Sequence, residues 1–95
     1  MKTSEYLYNT AEYISEHGWT RNKYIDEETG AVCLVGALAR AEGNEIYALG
    51  APAIRDYLGI RYFSIWNDNI AKDADEVIHM LKLVAEQEAI KEDNA

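Results

Sequence analysis

Three glycines cut this chain into short helices. Gly18, Gly43 and Gly59 each follow a stretch of helix-compatible residues, and a glycine just past the last helical residue is a common stop. The first stretch starts at a Thr3 or Ser4 cap and runs to about His17, with Leu7, Ala11 and Ile14 along one side. A second starts near Cys33 or Leu34. A third starts near Pro52, a residue suited to a first helical turn. Asp73 followed by Glu76 is a capping-box-like start for a last helix reaching about Glu88 or beyond. Helices this short cannot stand alone in water, so each must bury one side against the others.

Between the first two helices, Lys23 to Leu34 reads as two extended pieces, "KYID" and "AVCL", around "EETG", a small two-stranded hairpin. "IRYFSIWNDN" reads as an extended or irregular aromatic segment. The predicted class is therefore mainly α, with an α+β element: a bundle of about four helices and one hairpin. No linker or repeat divides the chain. One domain is expected over 1–95, ordered over about 4–90, with the acidic tail 91–95, "KEDNA", frayed.

Composition supports a core of this kind and narrows the partners. Of 95 residues, 48% are apolar and 11% aromatic, enough to pack a small interior. One cysteine excludes an internal disulfide framework, so packing must hold the fold, and a reducing cytoplasm is the expected location. Glu5 and Glu12 interrupt any signal-peptide core, and the longest apolar run, Ala31 to Ala39, is too short to span a bilayer. A net charge of −8 argues against nucleic acid and against anionic membranes. Two histidines and one cysteine show no ligand spacing, and "GAVCLVG" lacks the lysine of a phosphate loop, so neither a metal nor a cofactor is expected.

The last helix carries a polar stripe of Asp75, His79, Lys82 and Glu86 opposite Val77, Leu81, Val84 and Ala85. Met80, Leu83 and Ile90 fall on a further flank, a candidate interface for a homodimer or another protein.

Cys33 offers one chemical reading. At a helix N-terminus its thiolate would be favoured; His17 or His79 could serve as base and Asp68 or Asn67 could orient the imidazole, with Cys33, His17 and Asp68 as the set taken forward. Val32, Leu34 and Val35 around it favour instead an inert thiol in a crowded place. "WND" at Trp66 to Asp68 has two readings as well. Asn67 and Asp68 can latch a turn to the core through backbone amides, with Trp66 as anchor, or they can line a pocket.

"EHGW" at Glu16 to Trp19, "VCLVGAL" at Val32 to Leu38, and "WND" followed by "DEVIHML" together resemble a small family of actinobacterial and actinobacteriophage proteins with no assigned activity. The resemblance runs from Tyr6 to about Val84. It marks Trp19, Cys33, Gly36, Trp66, Asn67 and Asp68 as the motif residues, and where Asp73 stands here, related members often carry threonine, an equivalent cap. The expected function is that of a small accessory protein, phage-encoded and so in the host cytoplasm, that binds another protein, with a host protein among the candidates. A cysteine-dependent hydrolase or transferase and an acidic nucleic-acid mimic are the alternatives.

Overall fold

The computed structural model describes residues 2–43 and 49–94. Helix α1 spans Thr3–His17, α2 Leu34–Glu42, α3 Gly50–Leu58, and α5 Ala74–Asp93. Between α3 and α5, α4 is a single turn over Phe63–Ile65 that continues directly into a π-helical turn over Trp66–Ile70. Helix α1 packs along α5 and against α2, while α3 and α4 close the remaining side.

Apolar spacing builds this arrangement. Leu7, Ala11 and Ile14 of α1 recur every three or four residues and are fully buried. They meet Val77, Met80, Leu81, Val84 and Ala85 of α5, with Leu34, Val35, Ala37 and Leu38 of α2 completing the core. Each fully buried leucine or isoleucine contributes about 1.5–3 kcal/mol relative to exposure. Ala51 and Ile54 join from α3, and Phe63, Trp66 and Ala71 from the segment after it.

Gly43 and Gly59 stop α2 and α3 in the left-handed conformation. Gly18 does something more demanding. Its φ of 93° and ψ of 166° lie outside the left-handed helical well, in a region open essentially to glycine alone. The chain leaves α1 there as extended backbone rather than curling back.

Three expectations are corrected. The hairpin between α1 and α2 does not form: among the described residues there is no strand, only isolated bridges from Val32 to Trp19 and to Ile25. The pieces do approach, with the Asp26 amide bonded to the Ala31 carbonyl and the Cys33 amide to the Tyr24 carbonyl. Pairing stops after one bridge because Cys33 is already the cap of α2. On its other edge Val32 bonds to the backbone of Gly18 and Thr20. The second correction concerns residues 60–69, which are largely helical rather than extended: Phe63, Trp66 and Asn67, spaced three and four apart, all turn inward.

Third, neither Thr3 nor Ser4 caps α1. Lys2 holds the cap position with no side-chain bond, and the carboxylate of Glu92 arrives from the far end of the chain instead. It accepts from the Ser4 amide at 3.1 Å and the Ser4 hydroxyl at 2.5 Å, so α1 and α5 run antiparallel. Helix α3 starts at Gly50, which puts Pro52 in its first turn, and the Glu42 carboxylate accepts the amides of Leu49 and Gly50. Helix α5 runs past Glu88 to Asp93.

Candidate functional site

The three motif segments converge on one side chain. Asn67 is 1% exposed. Its Oδ1 accepts from the Trp19 indole Nε1 at 2.6 Å and from the Leu34 amide at 3.0 Å. Its Nδ2 donates to the Thr20 carbonyl at 3.2 Å and to Asp68 Oδ1 at 2.9 Å. A primary amide has two acceptor sites and two donor hydrogens, and here all four are used. The orientation is unambiguous, because the oxygen faces only donors and the nitrogen only acceptors.

Local winding puts Asn67 there. In the π-helical turn the Ala71 amide bonds to the Trp66 carbonyl, five residues back, at 2.8 Å. Trp66 and Asn67 both face inward, the first into the core, the second against the start of α2. Leu34 is the first residue of α2, so its amide has no partner within the helix. Asn67 supplies that partner from outside.

Cys33 supplies another. As the cap of α2 its Sγ accepts the Gly36 amide at 3.3 Å. Gly36 must be glycine for a steric reason: a Cβ there would drive into the Tyr24 carbonyl, the same group that accepts the Cys33 amide. The spacing C-x-x-G thus records one crossing of the loop over the helix start.

Asp68 continues the network outward, accepting the Asn22 amide on Oδ1 at 2.9 Å. Asn22 takes a positive φ of 67°, which asparagine tolerates, to present that amide. Arg21 lies over the Trp19 ring at 4.9 Å and donates to the carbonyls of Ala71 and Lys72, gripping the exit of the π-helical turn. Thr20, Arg21 and Asn22 are functional parts of this network that motif reading misses. Their contribution runs through backbone groups and one guanidinium, and no residue spacing marks it.

The proposed nucleophile, base and orienter do not form a bonded chain among the described residues. Cys33 is buried, and burial raises its thiol above the usual 9.0, with the Asp68 carboxylate acting in the same direction against the nearby backbone amides. His17 is exposed at the end of α1, stacked on Tyr13 at 4.0 Å, with Nδ1 against the Tyr13 carbonyl. Asp68 spends its carboxylate on Asn22 and Asn67. Among the described residues, no group of three or more histidine, cysteine or acidic side chains is placed to hold a metal ion. No helix of the described residues is long and apolar enough to cross a membrane.

The candidate interface of α5 is also dispersed. Met80 is 4% exposed and belongs to the core, Leu83 is half-buried, and Ile90 is exposed. Other large apolar side chains are exposed on the segment that carries the latch. Tyr62, Ile65 and Ile70 are 62%, 51% and 52% exposed, on the same short segment whose Phe63, Trp66 and Asn67 are buried. A helical reading of residues 60–70 would have revealed them, since Tyr62 and Ile65 stand three apart.

Fold and network together define a small α-helical domain closed by a buried asparagine latch. The chain belongs to the family of unknown function DUF6197, whose model matches residues 1–87 and so takes in every residue of the latch. No curated protein and no solved structure matches it.

Proposed function

We propose that the protein is a binding module that docks another protein on the outer face of residues 62–70. The observation that carries this reading is the two-sidedness of that segment. Its inner side is locked by Phe63, Trp66 and Asn67, while Tyr62, Ile65 and Ile70 stand in water within nine residues of one another. Single exposed apolar residues need no explanation, but three on one short, anchored segment are a patch. Burying each against a partner would contribute about 1.5–3 kcal/mol. Because the segment is already fixed by the latch, little ordering is left to oppose binding.

An actinobacterial or phage source, and a host protein as the partner, rest on the motif resemblance. The single buried thiol suits a reducing cytoplasm. The test is affinity capture from an actinobacterial lysate with the native chain and with Tyr62→Ser/Ile65→Asp as parallel baits. Both should give the same circular dichroism, because the substituted side chains face solvent. A protein held by the first bait and lost by the second is the expected result. Identical captures would contradict the reading.

A further inference from the structure

Two arginines lie beside Tyr62 on the proposed docking face. Between residues 55 and 72 lie three bases, Arg55, Arg61 and Lys72, against two acids, Asp56 and Asp68. The rest of the sequence has six bases against fifteen acids. Asp73, Asp75 and Glu76 follow directly, with a Glu76 carboxylate oxygen on the Lys72 amide, so the preference of this face for an acid rests on Arg55 and Arg61.

The two arginines are held in place without being neutralised. Arg55 donates from Nε to the Arg61 carbonyl at 3.0 Å and lies over the Phe63 ring at 5.6 Å. Arg61 lies over the ring of Tyr62, a member of the apolar patch, at 5.7 Å. Among the described residues neither guanidinium has a carboxylate partner, although acids outnumber bases nearly two to one. The bond to the Arg61 carbonyl and the two ring contacts place both exposed side chains beside Tyr62. A planar guanidinium so held is suited to a carboxylate, which it can engage through two parallel bonds.

We infer that the face formed by Tyr62, Ile65 and Ile70 with Arg55 and Arg61 takes an acidic, apolar peptide segment: apolar side chains against the patch, with an aspartate or glutamate beside them at the arginines. This rests on the docking role proposed above and adds the chemistry of the partner. A phosphate backbone could also meet two arginines, but the fifteen acids elsewhere on the chain would oppose a polyanion as long as a nucleic acid.

Selection of displayed random twelve-residue peptides on the immobilised protein tests it, with enriched peptides measured by fluorescence anisotropy. Expected are peptides pairing bulky apolar residues with Asp or Glu. Arg55→Ala/Arg61→Ala should weaken them about tenfold and flatten their salt dependence, and Ile65→Asp should abolish binding. Enriched peptides that are basic or uncharged, or that bind the double-arginine variant equally well, would overturn the acidic partner and leave the docking role standing. Enrichment insensitive to Ile65→Asp, or none at all, would overturn both. Binding of a fluorescein-labelled oligonucleotide that depends on the same arginines would replace the peptide with a nucleic acid.

Discussion

Two helix starts in this molecule are satisfied from far away, by different chemistry. The Leu34 amide opening α2 is met by Asn67, 33 residues on, and the Ser4 amide in the first turn of α1 is met by Glu92, 88 residues on. Asn67 is a neutral amide, fully buried and saturated, and every one of its partners is polar. Glu92 is a carboxylate at the solvent edge, with its charge favoured first by the Ser4 hydroxyl and less by the Ser4 amide and by Lys2. The same kind of orphan donor can thus be served by a group whose loss cannot be made good by water, or by one that water can replace. The buried clasp should dominate stability, and the exposed one should tune it with pH.

The largest effect should come from Asn67→Asp. It places a charge in a buried site and turns two favourable contacts, to the Thr20 carbonyl and the Asp68 carboxylate, into repulsions. A loss of about 3–5 kcal/mol in denaturant unfolding is expected. A loss below about 1 kcal/mol would mean the site admits water. Trp66→Ala, beside it, should also cost about 3–5 kcal/mol through the cavity it leaves.

Trp19→Phe should cost less, about 0.5–1.5 kcal/mol, because it deletes one bond to Asn67 Oδ1 and leaves the Leu34 amide in place. Cys33 tests the same buried region by titration. With the thiol raised by burial, the native state holds its proton above pH 9.0 where the unfolded chain has released it. Stability should therefore fall as pH rises from about that value towards the native one, and Cys33→Ala should remove this slope. Native Cys33 should react slowly with a thiol reagent and quickly once unfolded. Fast native reaction would return Cys33 to the role of nucleophile.

Glu92→Gln should have the smallest effect and the opposite pH dependence. The native carboxyl lies below the usual 4.5, so its contribution is fully present above that value and is lost as pH falls through the depressed one. Wild type and variant should differ most near neutral pH and converge in acid. A gap that stays constant down to low pH would show that Glu92 acts through packing rather than charge.

The contrast between local and distant partners also explains what sequence reading reaches. Gly43, Gly59 and the Asp73–Glu76 start of α5 are legible because the cause and the effect lie within one turn. The apolar sides of α1 and α5 are legible for the same reason. Residues 60–70 are not, because tyrosine, phenylalanine, isoleucine and tryptophan favour strands locally, and only burial of Phe63 and Trp66 winds them into helix. The Trp66, Asn67 and Asp68 motif announces side chains able to bond amides, but nothing in it says that those amides belong to Leu34 and Asn22. Glu92 looks like one more acid of a solvated tail. The hairpin fails through an overlap in sequence: the residues that would lengthen its second strand are needed to cap and open α2.

Native-state hydrogen exchange by NMR compares the two clasps in one experiment. The Leu34 amide and the Trp19 indole N–H, both held by buried Asn67, should exchange only through global unfolding and respond to denaturant with its full dependence. The Ser4 amide, held by Glu92, should exchange faster through local opening of the chain ends and respond weakly. Equal rates at the three sites, or faster exchange at Leu34 than at Ser4, would contradict the claim that Asn67 is the latch of the fold.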